Sequence, residues 1–166
     1  SLLNLSKTQN ELMKSVIRSM TKSILVGIIL KFLNDYLQSN FINEYFEKNL
    51  ITILLGFLAI NVAALGVIVS KLYDIIQQEV REGIINSPDN KNNFKITNKQ
   101  MLLSIREQIM LIILAIIFLS IKNSLIIKEF VCYFYYIDIV LNSIFIYSIL
   151  ILYDIAKSLI VFLNKK

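Results

Sequence analysis

The stretch TILLGFLAINVAALGVIVS, residues 52–70, decides the fold class, because it contains no charged residue and no proline. A helix that crosses a bilayer needs about 20 mostly apolar residues, so we predict a membrane span over residues 50–70. A stripe of small residues recurs in this run at steps of four and three: Thr52, Gly56, Ala59, Ala63, Gly66 and Ser70. Such a stripe lets another helix approach closely. At helical periodicity Asn61 is predicted to lie on the opposite face.

The composition of the whole chain also indicates a membrane protein. Hydrophobic residues make up 56% of the 166 residues and charged residues 17%, against about 45–50% and 25% in soluble domains. Three further spans are predicted over residues 24–37, 108–127 and 130–153. The predicted fold class is therefore all-α, an integral membrane helical bundle with four transmembrane helices.

Lysine and arginine residues predict the topology. They are concentrated in the N-terminal segment, between the second and third spans, and at the C-terminus. Because basic residues favour the cytoplasmic side, we predict that both termini lie in the cytoplasm. The predicted segments are an amphipathic interfacial helix over 1–22, two spans over 23–70, a cytoplasmic helical hairpin over 71–107, two spans over 108–153, and a basic tail over 154–166.

The hairpin is predicted to contain a break between its two helices. Gly83 and the run NSPDNKNN, residues 86–93, are typical of turns. Thr97 and Gln100 match a capping box. This motif predicts that the second helix of the hairpin starts near Asn98.

The residue types argue against catalysis. The chain has no histidine, which is the usual general base at neutral pH, and one cysteine, Cys132. A site built from several cysteine or histidine ligands is therefore excluded. No phosphate-binding loop or nucleophile motif occurs in the sequence. We predict a protein that is not an enzyme and holds no cofactor or metal.

Three polar residues in the predicted spans have two interpretations each. Asn61 either hydrogen-bonds to a neighbouring helix or faces a pore, because an amide in hydrocarbon needs a partner or water. Asp138 and Asn142 follow an aromatic run that is typical of the outer interface. Asp138 is then either a solvated carboxylate or part of a carboxylate ring at the mouth of a cation pore.

The basic residues of the predicted hairpin are candidates for ligand binding: Lys71, Arg81, Lys91, Lys95, Lys99 and Arg106. Spaced cations beside an aromatic residue, here Phe94, suit a phosphate-bearing ligand or a single nucleic-acid strand. The alternative interpretation is that these residues only set the topology.

In its four spans, basic cytoplasmic hairpin and lack of catalytic residues, the chain resembles the small membrane effectors of bacterial anti-phage defence. Its layout is most similar to that of the ion-channel effector of the Hailong system, in which a partner nucleotidyltransferase makes short DNA oligomers that hold the channel closed. The resemblance rests on hydropathy and charge along the whole chain and assigns no residue. It implies a homo-oligomer, with a tetramer as one arrangement, that depolarises the membrane.

The same resemblance implies gating by a nucleotide or a short single-stranded DNA oligomer. Two other functions also fit the sequence. One is a non-conducting membrane scaffold that partners a soluble enzyme, and the other is a holin-like protein.

Overall fold

The computed structural model describes residues 2–39, 45–81, 88–124 and 131–164. These residues form four long helices and no strand: α1 (Leu2–Tyr36), α2 (Glu47–Arg81), α3 (Pro88–Lys122) and α4 (Val131–Asn164). The predicted all-α class is confirmed.

Three of the four helices contain a segment that is long and apolar enough to cross a membrane. These segments are Glu47–Lys71 in α2, Met101–Lys122 in α3 and Phe134–Ile160 in α4. The predicted second span agrees closely with the first of them. The third span, predicted over residues 108–127, begins and ends earlier in the structure, at Met101 and Lys122. The fourth, predicted over residues 130–153, extends further, to Ile160. α1 is not among the three, so a first span remains a prediction.

The start of α3 differs most from the sequence prediction. α3 begins at Pro88 rather than near Asn98, so the predicted capping box at Thr97 is wrong. Proline is well tolerated in the first turn of a helix, where its missing N–H has no intrahelical acceptor. The polar run after Pro88 is therefore helical. Gly83 and residues 86–87, which belong to the predicted break, lie outside the described residues.

α1 and α4 also continue through predicted segment boundaries. α1 is one helix across residues 22 and 23, where an interfacial helix was expected to join a span. α4 continues through the predicted tail as far as Asn164. Two backbone hydrogen bonds close the C-terminal end of α1. The Gln38 amide donates to the carbonyl of Asp35, and the Ser39 amide donates to the carbonyl of Asn34. With Gln38 at a φ of 50°, this is a Schellman motif.

α4 is the central helix of the bundle and packs against each of the other three helices. Of its apolar segment, 44% is buried within the chain, compared with 17% for α2 and 22% for α3. Phe145 of α4 lies edge-on to Phe46, directly before α2, at 5.0 Å between ring centroids. It also stacks near Phe57 of α2 at 6.1 Å.

α1 runs antiparallel to α4 and approaches it closely at Gly27. A Cβ atom at this position would lie 2.3 Å from Ser143 Oγ and 3.0 Å from the carbonyl oxygen of Ile139. The Ser143 hydroxyl donates a hydrogen bond to that same carbonyl. Only glycine fits this contact without displacing α4, so Gly27 determines how near the two helices lie.

Candidate functional site

Five charged side chains from all four helices meet at one end of the bundle. Asp138 of α4 lies between two lysines, with Oδ2 2.9 Å from Nζ of Lys31 and Oδ1 2.6 Å from Nζ of Lys122. Lys31 of α1 also pairs with Asp35 at 3.0 Å, and Lys122 of α3 pairs with Glu47 of α2. The five residues form one network, which we call the ion cluster.

The ion cluster changes the interpretation of Asp138. Asp138 is only 4% exposed, so the expectation of a solvated carboxylate is wrong. Both carboxylate oxygens are paired with lysines from other helices. A carboxylate ring at a pore mouth would require these oxygens to leave their lysines. In this conformation Asp138 instead holds α1 and α3 against α4.

The ion cluster offers no metal site. Among the described residues, no group of three or more histidine, cysteine, aspartate or glutamate side chains is arranged to hold a metal ion. Each of the three carboxylates of the cluster is paired with the ammonium group of Lys31 or Lys122. The chemistry available here is electrostatic attachment of one helix to another.

Three amide side chains are buried within the predicted membrane region. Asn61 of α2 and Gln108 of α3 have no exposed surface, and Asn142 of α4 is 2% exposed. Neither the nitrogen nor the oxygen of the Asn61 and Gln108 side chains has a hydrogen-bond partner among the described residues, and the Asn142 nitrogen also lacks one. The interpretation that Asn61 hydrogen-bonds to a neighbouring helix is therefore wrong within the chain.

α2 has two opposite faces of different character. The face around Asn61 is buried together with Leu54, Ala64 and Ile68. The small stripe, formed by Thr52, Gly56, Ala59, Ala63, Gly66 and Ser70, is exposed along its whole length. No atom lies within 4 Å of a Cβ placed at Gly56 or Gly66. The prediction that Asn61 points away from the stripe is confirmed, whereas none of the described helices of the chain packs on the stripe.

A second polar contact joins α3 and α4 nearer the other end of the bundle. The Tyr147 hydroxyl donates a hydrogen bond to Oε2 of Glu107 at 3.3 Å. Tyr147 also lines an apolar cavity of about 290 Å³ together with Met20 and Ser23 of α1 and Leu111 of α3. This cavity separates α1 from α3 over the surface of α4.

The candidate ligand-binding residues are distributed along α2 and α3. Positions 91, 95 and 99 recur at intervals of four within α3, and therefore share one face of the helix. The side chains of Lys91 and Lys95 lie outside the described part of the structure. Arg81, Lys99 and Arg106 are exposed, and Lys71 is partly buried. The described side chains do not converge on a pocket.

Sequence reasoning missed three residues that the structure makes important. Gly27 carried no signal beyond being a single glycine in an apolar helix. Gln108 is the first residue of a predicted span. That it lies at the same height as Asn61 becomes visible only when α2 and α3 are paired. Lys122 interrupts the apolar run of the third predicted span, and its sequence position does not reveal the ion pair with Asp138 that joins α3 to α4.

Comparison of the chain with models of protein families, with curated proteins and with solved structures finds no match.

Proposed function

We propose that the protein forms an ion channel in the bacterial inner membrane from several identical copies, which contact one another through the small stripe of α2. The observation that carries this proposal is the contrast between the two faces of α2. One face is buried in the chain around Asn61, while the other presents small residues with open space at both glycines. Small side chains favour close helix contacts in membranes, so the stripe suits a second copy better than lipid.

The arrangement of the chain supports a path between copies rather than through one copy. Most of the buried side chains among the described residues are apolar, including Leu50, Leu54 and Leu141, each no more than 1% exposed, and the few buried amides are separated by them. A conducting path needs a continuous polar lining. Rings of identical subunits form such a path readily around a symmetry axis.

We place both termini in the cytoplasm and count α1 as a fourth span. Lys31 and Gly27 hold α1 antiparallel to the apolar segment of α4 over several turns. If α4 crosses the membrane, α1 lies at the same depth. The basic residues at the other end of the bundle agree with this orientation under the positive-inside rule.

We further propose that a nucleotide or short single-stranded DNA oligomer binds the basic face of the hairpin and gates the channel, as the likeness to anti-phage effectors implies. The support is the placement of positions 91, 95 and 99 on one face of a continuous helix that leads into the apolar segment of α3. Binding to that face acts on a helix that is joined to α4 through Lys122.

A non-conducting scaffold for a soluble enzyme is the second candidate. It would use the same helices but would carry no ions. The two functions are separated by ion flux from vesicles that contain the purified full-length chain.

The stripe is tested by crosslinking and by flux. In a Cys132→Ser background, which removes the only cysteine of the chain, Ala63→Cys should form disulfide-linked dimers under mild oxidation. Ile116→Cys, an exposed position of α3, should not. Ala59→Leu should abolish dye-reported flux, while Ala156→Leu, the same change at an exposed position of α4, should leave it unchanged. Flux that is absent from the wild type under every condition would exclude the channel.

A further inference from the structure

The side chains of Asn61 and Gln108 lie at matching heights on two paired helices. The ion pair between Glu47 and Lys122 sets the register of α2 against α3. Asn61 comes fourteen residues after Glu47, and Gln108 comes fourteen residues before Lys122. At 1.5 Å per residue, each amide is about 21 Å along its helix from that pair. Fourteen residues are close to four turns, so both amides also return to the face that carries the ion pair.

Both amides are enclosed by the chain and lack protein partners. Neither residue has exposed surface, and all four side-chain nitrogen and oxygen atoms are without a partner among the described residues. Leaving a buried polar group unpaired costs about 1–3 kcal/mol. Lipid cannot supply the missing hydrogen bonds.

Pairing the two amides with each other would not satisfy them. Each amide offers two N–H donors and one carbonyl acceptor, so a single hydrogen bond between them leaves three donors and one acceptor unused. The surrounding backbone groups belong to long helices and are already bonded within those helices. A small molecule that both donates and accepts hydrogen bonds is needed.

We infer that Asn61 and Gln108 form a water-binding site between α2 and α3 in the interior of the membrane region. Water fits because a buried water molecule makes about three hydrogen bonds to otherwise unpaired polar groups. The site belongs to each copy of the chain and does not depend on ion conduction. It therefore exists equally in a channel and in a non-conducting scaffold.

The S–H stretching band of an introduced cysteine tests this site, because a thiol that donates a hydrogen bond to water absorbs at a lower frequency than a thiol in apolar surroundings. The full-length Cys132→Ser chain in lipid nanodiscs is given one new cysteine, Asn61→Cys or Gln108→Cys. Ala64→Cys and Ala115→Cys are matched controls, because both alanines are buried in apolar surroundings on the same two helices. The band is recorded by infrared spectroscopy, which needs no reagent to enter the enclosed site.

We expect the S–H bands of the cysteines at 61 and 108 to lie at a lower frequency than those of the cysteines at 64 and 115. Adding Gln108→Leu to Asn61→Cys should move the band to the frequency of the controls, because the remaining amide that holds water is then gone. Each variant is first shown to be helical and monodisperse. Equal frequencies at all four positions would overturn the site, as would a low frequency at 61 that Gln108→Leu leaves unchanged.

Discussion

Asp138 of α4 and Lys31 of α1 form a buried ion pair at 2.9 Å that ties the first helix of the chain to the last. The other oxygen of the Asp138 carboxylate pairs with Lys122 of α3. One side chain therefore joins three helices. This arrangement makes Asp138 the most sensitive position of the ion cluster.

We expect Asp138→Asn to destabilise the protein strongly, because it leaves two buried lysines without their shared counter-ion. Breaking a buried ion pair by removing one partner costs about 3–5 kcal/mol. The measurement is the thermal unfolding midpoint in detergent, and the control is Asp154→Asn, the same change at an exposed position of α4. The midpoint should fall by several degrees for Asp138→Asn alone. Equal midpoints in the two variants would show that the ion cluster does not hold the helices together.

Gly27→Ala should also weaken the bundle, although alanine is the better helix former by about 0.8–1.0 kcal/mol. The added Cβ would meet Ser143 Oγ at 2.3 Å. Ser143→Ala removes this oxygen and should restore part of the lost stability. The control is Ser143→Ala alone, which keeps Gly27 and removes only the hydrogen bond from Ser143 to the carbonyl of Ile139. A thermal midpoint of Gly27→Ala equal to or above that of the wild type would contradict the close approach of α1 to α4.

The span in α2 was predictable because its signal is local. The run from Leu50 to Ser70 carries no charge, and its periodicity alone placed Asn61 opposite the small residues. The start of α3 was not predictable in the same way, because proline is favoured both in β-turns and at the first position of a helix. The local sequence does not choose between the two.

The ion cluster was not predictable, because it depends on contacts between residues far apart in the chain. Asp138 and Lys31 are separated by more than one hundred residues. Each of the two charged residues lies near the end of an apolar run, a position from which a side chain is expected to reach water at the membrane interface. Only the antiparallel register of α1 and α4, set by Gly27, brings them together.

The two unpartnered amides predict an unusual pattern of stability. Asn61→Leu or Gln108→Leu alone leaves the other amide buried, so each single variant should raise the thermal midpoint only slightly or lower it. The double variant replaces both polar groups with apolar ones of similar size, which is often neutral or stabilising. We therefore expect the thermal midpoint of the double variant to lie above both single variants. A double variant whose loss equals the sum of the two single losses would show that the two sites are independent.

Charge reversal on the hairpin tests whether its lysines bind a ligand or only set the topology. Lys91→Glu, Lys95→Glu and Lys99→Glu together should abolish binding of a short single-stranded DNA oligomer, measured by fluorescence anisotropy, without changing the size of the assembly. For the wild type, the logarithm of the binding constant should fall with the logarithm of salt concentration by about 0.7 for each phosphate contact. Replacing the three lysines with glutamine should lower that slope by about 2.

The control for the hairpin is Lys157→Glu, an exposed cation at the corresponding end of α4. It alters net charge on the same half of the bundle but lies off the hairpin, so it should leave oligomer binding nearly unchanged. Because long-range attraction is screened within about 10 Å at 0.1 M salt, binding at that ionic strength reports local contacts. If the triple glutamate variant binds the oligomer as the wild type does, the lysines are topology signals and the gating proposal fails, while the stripe on α2 and its crosslinks are unaffected.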